Sequence, residues 1–182
     1  TDTVALCIPD GECVYEEQRF SLRVCSPKVT GAADPRGVII HGGAVVLLPI
    51  TAEGDVILIQ NRRWQVGQRI LELAAGTIES GERPADCAAR ELAEETGYRA
   101  DRLELFHTFY ALPGATTEVL HAYLARGLEY VGQDLETHED IHVVTMSENE
   151  VRSALLDGGI IDGKTMAILG LYLLGKSDPQ RP

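Results

Sequence analysis

Residues 76–98 read GTIESGERPADCAARELAEETGY, and the reading of this stretch decides the fold. Pro84 suits a first helical position, where its missing N–H has no intrahelical partner to lose. Gly97 suits the left-handed position just past a helix end. Between them Ala85, Ala88, Ala89, Leu92 and Thr96 recur at helical spacing, so one face can pack on a core. Glu91, Glu94 and Glu95 fall three and four residues apart, which crowds their carboxylates on another face. Like charges at that spacing destabilise a helix, and the crowding is tolerated best around a hard divalent cation with oxygen ligands. A lone E-x-x-E-E is more often a solvated acidic face, here with Arg90 as local compensation.

The fixed offsets extend well beyond that one helix turn. Gly76, five residues, Glu82, seven residues, then Arg90, Glu91, Leu92, Glu94, Glu95 and Gly97 resemble the Nudix box, G-x5-E-x7-R-E-U-x-E-E-x-G-U, with U a bulky apolar residue. Every fixed letter is present, and Tyr98 fills the last apolar position as an aromatic. The chain therefore resembles a Nudix hydrolase. That resemblance implies an α/β fold, the Nudix α/β/α sandwich with a mixed sheet, from about Val38 to Leu174. The expected organisation is an N-terminal β-element at 1–37, a Nudix domain at 38–176 and a frayed tail at 177–182.

Composition agrees with a globular chain of this kind. Its 182 residues fit one domain with a small appendage, and 45% apolar residues are ample for a core. A formal net charge of −12 argues against nucleic acid or an anionic membrane as main partner. It leaves room for an anionic small molecule if metal ions reverse the local sign. Cys7, Cys13, Cys25 and Cys87 lack C-x-x-C spacing, so neither a zinc site nor a disulfide framework is expected. Idle thiols, no apolar run of membrane-spanning length and no signal-peptide pattern together lead to the expectation of a cytoplasmic protein.

Along the chain, residues 12–15 and 20–25 alternate as half-buried strands do, with turn chemistry at Ser26-Pro27 and at 31–37. Residues 38–40 and then 43–48 read as a buried strand, with 55–59 as its hairpin partner across Gly54. The run 70–75 leads into the box, and strands are expected at 103–112, 118–125 and 141–146. Ser147 to Glu150 has the form of a capping box opening a short helix to about Leu156. A second helix starts at Asp162-Gly163-Lys164-Thr165 and runs to Leu174.

Further candidates flank the box. Gln60-Asn61-Arg62-Arg63-Trp64 puts two guanidiniums at a strand end, suited to bidentate phosphate recognition or, equally, to blocking edge aggregation. The ADP-ribose pyrophosphatase group often has Gln-Tyr-Arg here; Gln60 and Arg62 match, Asn61 replaces the Tyr, and Trp64 could supply the aromatic ring. Phe109 to Gly114, FYALPG, resembles that group's F-Y-x-x-P-G, with Pro113 sixteen residues after Gly97. Glu118 to Ala125, EVLHAYLA, resembles its E-x-x-H-x-F/Y-L-A. The acidic run from Leu135 to Asp140, LETHED, is either a solvated loop or the source of one more site carboxylate. The resemblance implies Glu139 as catalytic carboxylate in a mobile loop, with Glu136 as runner-up and His138 a weaker candidate. Glu72 is expected to face the site, and Asp162, Lys164 and Thr165 to be scaffold.

The resemblance also implies the chemistry. Two or three Mg²⁺ ions, with Mn²⁺ as a possible substitute, would be held by Glu91, Glu94, Glu95 and the Ala75 carbonyl, with Glu82 nearby. Arg90 would keep the glutamates in register. Gln60, Arg62, Arg63, Trp64 and Pro113 would contact a small-molecule nucleotide sugar. The expected reaction is hydrolysis of ADP-ribose to AMP and ribose 5-phosphate. GDP-mannose or UDP-glucose hydrolysis is the alternative, and a Nudix-fold nucleotide sensor without hydrolysis is the reading from a different class. A homodimer that exchanges the N-terminal β-element is expected.

Overall fold

The computed structural model describes residues 8–137 and 139–176, so Cys7, the candidate His138 and the tail expected at 177–182 lie outside the described residues. The chain opens with β1 (Glu12–Glu16), β2 (Phe20–Cys25), a short helix α1 (Pro27–Thr30) and β3 (Arg36–His41), and the strands form an antiparallel sheet in that order. Residues 38–40, expected to run into the next strand, belong to this sheet and pair with β2. Gly42 and Gly43 break the chain there, Gly43 at φ 103°, a backbone conformation that favours glycine.

Then follow β4 (Ala44–Pro49), β5 (Val56–Arg63), β6 (Gln68–Glu72), β7 (Ala75–Thr77), α2 (Pro84–Glu91) with a π-helical turn (Leu92–Thr96), β8 (Tyr98–Tyr110), β9 (Val119–Tyr130), β10 (Ile141–Met146), α3 (Glu148–Leu156) and α4 (Gly163–Lys176). The strands make two further sheets, ordered β10-β5-β6 and β7-β4-β9-β8. β4 and β9 run parallel, from Ala44 opposite Leu120 to Pro49 opposite Ala125, which makes the second of these mixed. The expected β4–β5 hairpin is not the pairing formed. Gly54 does turn the chain, at φ 93°, but the two strands share one bridge, Ile50 to Val56, and then part into different sheets. β4 carries β7 on one edge and β9 on the other, so it has no free edge to offer β5.

Alternation along the strands sorts the core into two layers. Val45 and Leu47 of β4 join Ile59, Tyr123, Ala125, and Ala88 and Leu92 of the box helix. Ala44, Val46 and Leu48 point the other way, to Leu120, Ala122, Val151 of α3 and Ile168 and Leu169 of α4. Every residue of β4 is buried, as befits a strand covered on both faces. Each large aliphatic side chain so buried contributes about 1.5–3 kcal/mol, and Leu47→Ala would cost about 2–5 kcal/mol. This is an α/β/α sandwich with a mixed sheet. The first sheet is tied to it where Ile39 N–H donates to Ala115 O and Thr117 N–H to Ile39 O, each at 2.9 Å.

Candidate active site

Pro84 is the first residue of α2, and the helix ends at Gly97 with φ 75°, in the left-handed region. A second constraint acts at Gly97, because a Cβ there would stand 2.9 Å from the backbone nitrogen of Gln133. The last turn differs from the uniform α-helix expected: Leu92–Thr96 is π-helical, a widening often found at functional sites. It carries Glu94 and Glu95.

Arg90 organises the acids around it. Its Nε and Nη2 donate to the two oxygens of Glu82, both at 3.0 Å, while Nη1 donates to Glu91 at 2.7 Å and to Glu94 at 3.0 Å. The Arg90 hydrogen bonds hold the Glu82 carboxyl down at about 2. A guanidinium fork suits this task because it satisfies several carboxylates at fixed angles. Gly76 matters for a different reason. A Cβ at that position would stand 1.8 Å from Cδ of Glu91, so the strand must be bare where this carboxylate lies over it.

Glu95 is buried, 4% exposed, and its carboxylate accepts the Ala75 N–H at 2.9 Å. Burial pushes its pKa up to about 8; Glu91 and Glu139 add to the rise, against the Ala75 hydrogen bond and Arg63. Glu91 is raised as well, first by burial, then by Glu94 and Glu139, against its pairing with Arg90. The loop candidate Glu139 thus stands near enough to the box carboxylates to repel them. It also accepts the Glu136 N–H at 2.9 Å.

The β5 candidates are split by strand alternation. Asn61 is buried and Arg63 half-buried, whereas Gln60 and Arg62 are exposed; Trp64, 81% exposed, sits in the turn to β6. Pro113 is exposed in the loop between β8 and β9. Arg63 Nε and Nη2 grip Glu72 at 2.8 and 3.1 Å, and Arg63 also feels the charge of Glu95. Glu72, expected to face the site, is fully buried between Arg63 and Lys164, whose Nζ lies 2.5 Å from its Oε2. Lys164 in turn meets Asp162 at 2.9 Å. Asp162 accepts the Thr165 N–H at 3.0 Å, as a residue capping α4 does, and the Thr165 hydroxyl accepts the Leu73 N–H at 2.8 Å. The segment expected to be scaffold is therefore the far end of an ionic chain that reaches the carboxylate cluster. Beside it opens a cavity of about 490 Å³, lined by Phe109, Tyr110, Glu118, Leu120, Asp162 and Lys164.

Gln133 was not among the residues singled out from sequence. Its side-chain amide donates to the backbone oxygen of Glu95 at 2.6 Å. No local pattern marks it, because its partner is set by where β9 ends.

Among the described residues, no three acidic, imidazole or thiol groups gather as a ready metal cage. The donor chemistry nonetheless fits a hard divalent cation. Glu91, Glu95 and Glu139 repel one another in a half-buried space, and a dication with oxygen ligands would relieve the repulsion.

Comparison with known proteins agrees with the geometry. Residues 40–167 match the NUDIX domain. The chain is 34% identical over 160 residues to an ADP-ribose pyrophosphatase of Bacillus subtilis (strain 168), covering 84% of this chain and 86% of that protein. It is 32% identical over 165 residues to a GDP-mannose pyrophosphatase of Yersinia enterocolitica, covering 85% and 86%. A solved ADP compounds hydrolase shares the fold with a TM-score of 0.77 at 20% identity, over 98% of this chain and 99% of that one. The box, the sandwich around it and these relatives make the chain a member of the Nudix family of pyrophosphohydrolases.

Proposed function

We propose that this enzyme hydrolyses the diphosphate bond of a nucleoside diphosphate sugar, with ADP-ribose as first substrate, giving AMP and ribose 5-phosphate. The observation that carries the reading is the set of mutually repelling carboxylates, Glu91, Glu95 and Glu139, beside the Ala75 backbone at the box helix. Relatives named for ADP-ribose and for GDP-mannose support a nucleotide sugar, and the second keeps GDP-mannose as the alternative substrate.

Glu91, Glu94, Glu95 and the Ala75 carbonyl would hold Mg²⁺, two or three ions, with Mn²⁺ as substitute. When bound, the ions neutralise charge on the diphosphate oxygens and make water a better nucleophile near neutral pH. Glu82, with both oxygens on Arg90, helps hold that guanidinium. Arg90 bridges Glu91 and Glu94 through Nη1 and orients both. Glu139 takes the proton from the attacking water as the bond from phosphorus to the leaving phosphate oxygen breaks. Arg63 supplies positive charge beside Glu95 for the diphosphate, Trp64 and Pro113 are exposed for contact with the rest of the substrate, and Gln60 and Arg62 stand on the opposite face of β5 from Arg63. The cavity beside Lys164 is of a size to take one half of such a molecule.

A homodimer built through the N-terminal element at 1–37 belongs to the same reading. Every residue of β1 is exposed, and a strand with so little cover suits a second subunit. No helix among the described residues is long and apolar enough to cross a membrane. A reducing cytoplasm suits the free thiols of Cys13, Cys25 and Cys87.

The test is phosphate-product release with Mg²⁺ from ADP-ribose, GDP-mannose, UDP-glucose, NADH, diadenosine polyphosphates and dNTPs. Preferred turnover of ADP-ribose is expected. Preference for a dNTP would overturn the substrate class, and no turnover of any would overturn the hydrolytic reading in favour of a sensor.

A further inference from the structure

The acidic turn of the box and the loop that carries Glu139 are fastened together. A helix ends with four carbonyls that lack partners inside it. Here Leu92 O accepts the Thr96 hydroxyl, Ala93 O the Gly97 N–H at 2.9 Å, Glu94 O the Asp134 N–H at 3.1 Å, and Glu95 O the Gln133 amide at 2.6 Å. Gly97 O accepts the N–H groups of Val131 and Gly132 at 2.7 and 3.2 Å. The partners of Glu94, Glu95 and Gly97 thus come from 131–134, where the chain leaves β9 and begins the loop to β10. Among these loop contacts, that of Gln133 is made by a side chain. At the other end, Asp140 pairs with Arg69, and its carbonyl accepts the Arg62 N–H at 3.2 Å. Glu139 lies next to this second anchor, near enough to act on Glu91 and Glu95.

We propose that Gln133 is a positioning residue: by holding the Glu95 carbonyl it fixes the Glu139 loop on the acidic turn, and so sets the spacing between the loop carboxylate and the box carboxylates. This rests on the reading of Glu139 as a catalytic carboxylate. Gln133 is well suited to the part because its contact is with the backbone of Glu95, so the Glu95 side chain stays available. A half-buried carbonyl left without its donor would turn toward water and loosen the loop's hold on the turn.

Wild type, Gln133→Met, Glu139→Gln and the double variant are compared in steady-state hydrolysis of ADP-ribose with Mg²⁺. Met keeps the volume and loses the donor. Gln133→Met is expected to lower kcat roughly tenfold with KM within about twofold, because a displaced catalytic group weakens the transition state rather than ground-state binding. In the Glu139→Gln background the same change should cost less than about twofold, since no loop carboxylate remains to be placed. Wild-type kcat in Gln133→Met, or additive losses in the double variant, overturns the proposal. Gln133→Lys keeps a donor and should return kcat to within about threefold of wild type. Restored melting temperature without restored kcat in that variant would assign Gln133 a purely structural role and also overturn the proposal. A Glu139→Gln enzyme with wild-type kcat would show separately that the underlying reading of Glu139 is at fault, and the proposal would fall with it.

Discussion

The carboxylate of Glu91 occupies the space that a side chain on Gly76 would need, with Cδ 1.8 Å from the position of a Cβ. The opening residue of the box and a helical acid far along it are therefore one steric unit. Clusters of acids repel, so their placement depends on what is denied space as much as on what attracts them. Gly76 denies Glu91 no room, and Arg90 holds it from the side at 2.7 Å.

Gly76→Ala tests that unit. The intruding methyl meets the end of a flexible side chain, so Glu91 can swing away and the fold should survive. The expected result is a fall in kcat/KM of about a hundredfold with a melting temperature within about 3 °C of wild type. Unchanged turnover would mean that the position of Glu91 over Gly76 has no part in the reaction.

Glu95 gives a pH signature. Its pKa rises from the model-peptide value of 4.5 to about 8 in the folded protein, burial being the chief cause. Folding therefore takes up a proton at this group. The stability this provides is complete below about pH 4.5 and is lost as pH rises to about 8. In EDTA, melting temperature should fall across that window, and saturating Mg²⁺ should flatten the fall by favouring the charged form. Glu95→Gln should reduce the slope to the part that the raised Glu91 leaves and keep the Ala75 hydrogen bond, yet lose about a hundredfold or more in kcat. An undiminished slope in Glu95→Gln would assign the titration to another group.

Arg90 should matter for acid stability. Glu82 titrates near 2 when folded, against 4.5 otherwise, because of its hydrogen bonds to Arg90. Its contribution is present above about pH 4.5 and is lost as pH falls toward about 2. Arg90→Met strands three carboxylates together and should cost about 2–3 kcal/mol at pH 7, less than a fully buried pair because Arg90 is partly solvated. Urea unfolding of both proteins at pH 7 and pH 3 checks this: the gap should narrow at the lower pH.

The chain from Arg63 through Glu72 to Lys164 makes a stability prediction. Glu72→Leu leaves two cations facing each other in a buried site and should cost about 3–5 kcal/mol. Adding Lys164→Met removes one of them, so the double variant should be more stable than the sum of the single losses by about 1–3 kcal/mol. Additive losses in chemical denaturation would show that the two side chains do not share the network.

Much of this was legible beforehand where the signal is local. Pro84 and Gly97 marked the ends of the box helix, and Ser147 with Glu150 marked a capping box that forms as read, the Ser147 side chain accepting the Glu150 N–H and Glu150 reaching back to Ser147. These depend on residues within a few positions of one another, so spacing suffices. The β4–β5 pairing was misread for the complementary reason. Alternation and a turn glycine say that two strands are adjacent in sequence, but not that β7 and β9 already hold both edges of β4.

By itself the sequence determined the helix with its crowd of acids, the apolar strands, the excess negative charge and the family they belong to, because each is written in composition or in fixed offsets. Tertiary structure alone decided that Glu72 is buried against Lys164, 92 residues away in sequence, that Asn61 and Arg63 turn inward while Trp64 stands in solvent, and that Gln133 clasps Glu95. Those outcomes follow from which distant groups arrive at a buried point. A charge or carbonyl taken out of water must be matched by whichever partner the fold delivers there, and no local pattern names that partner.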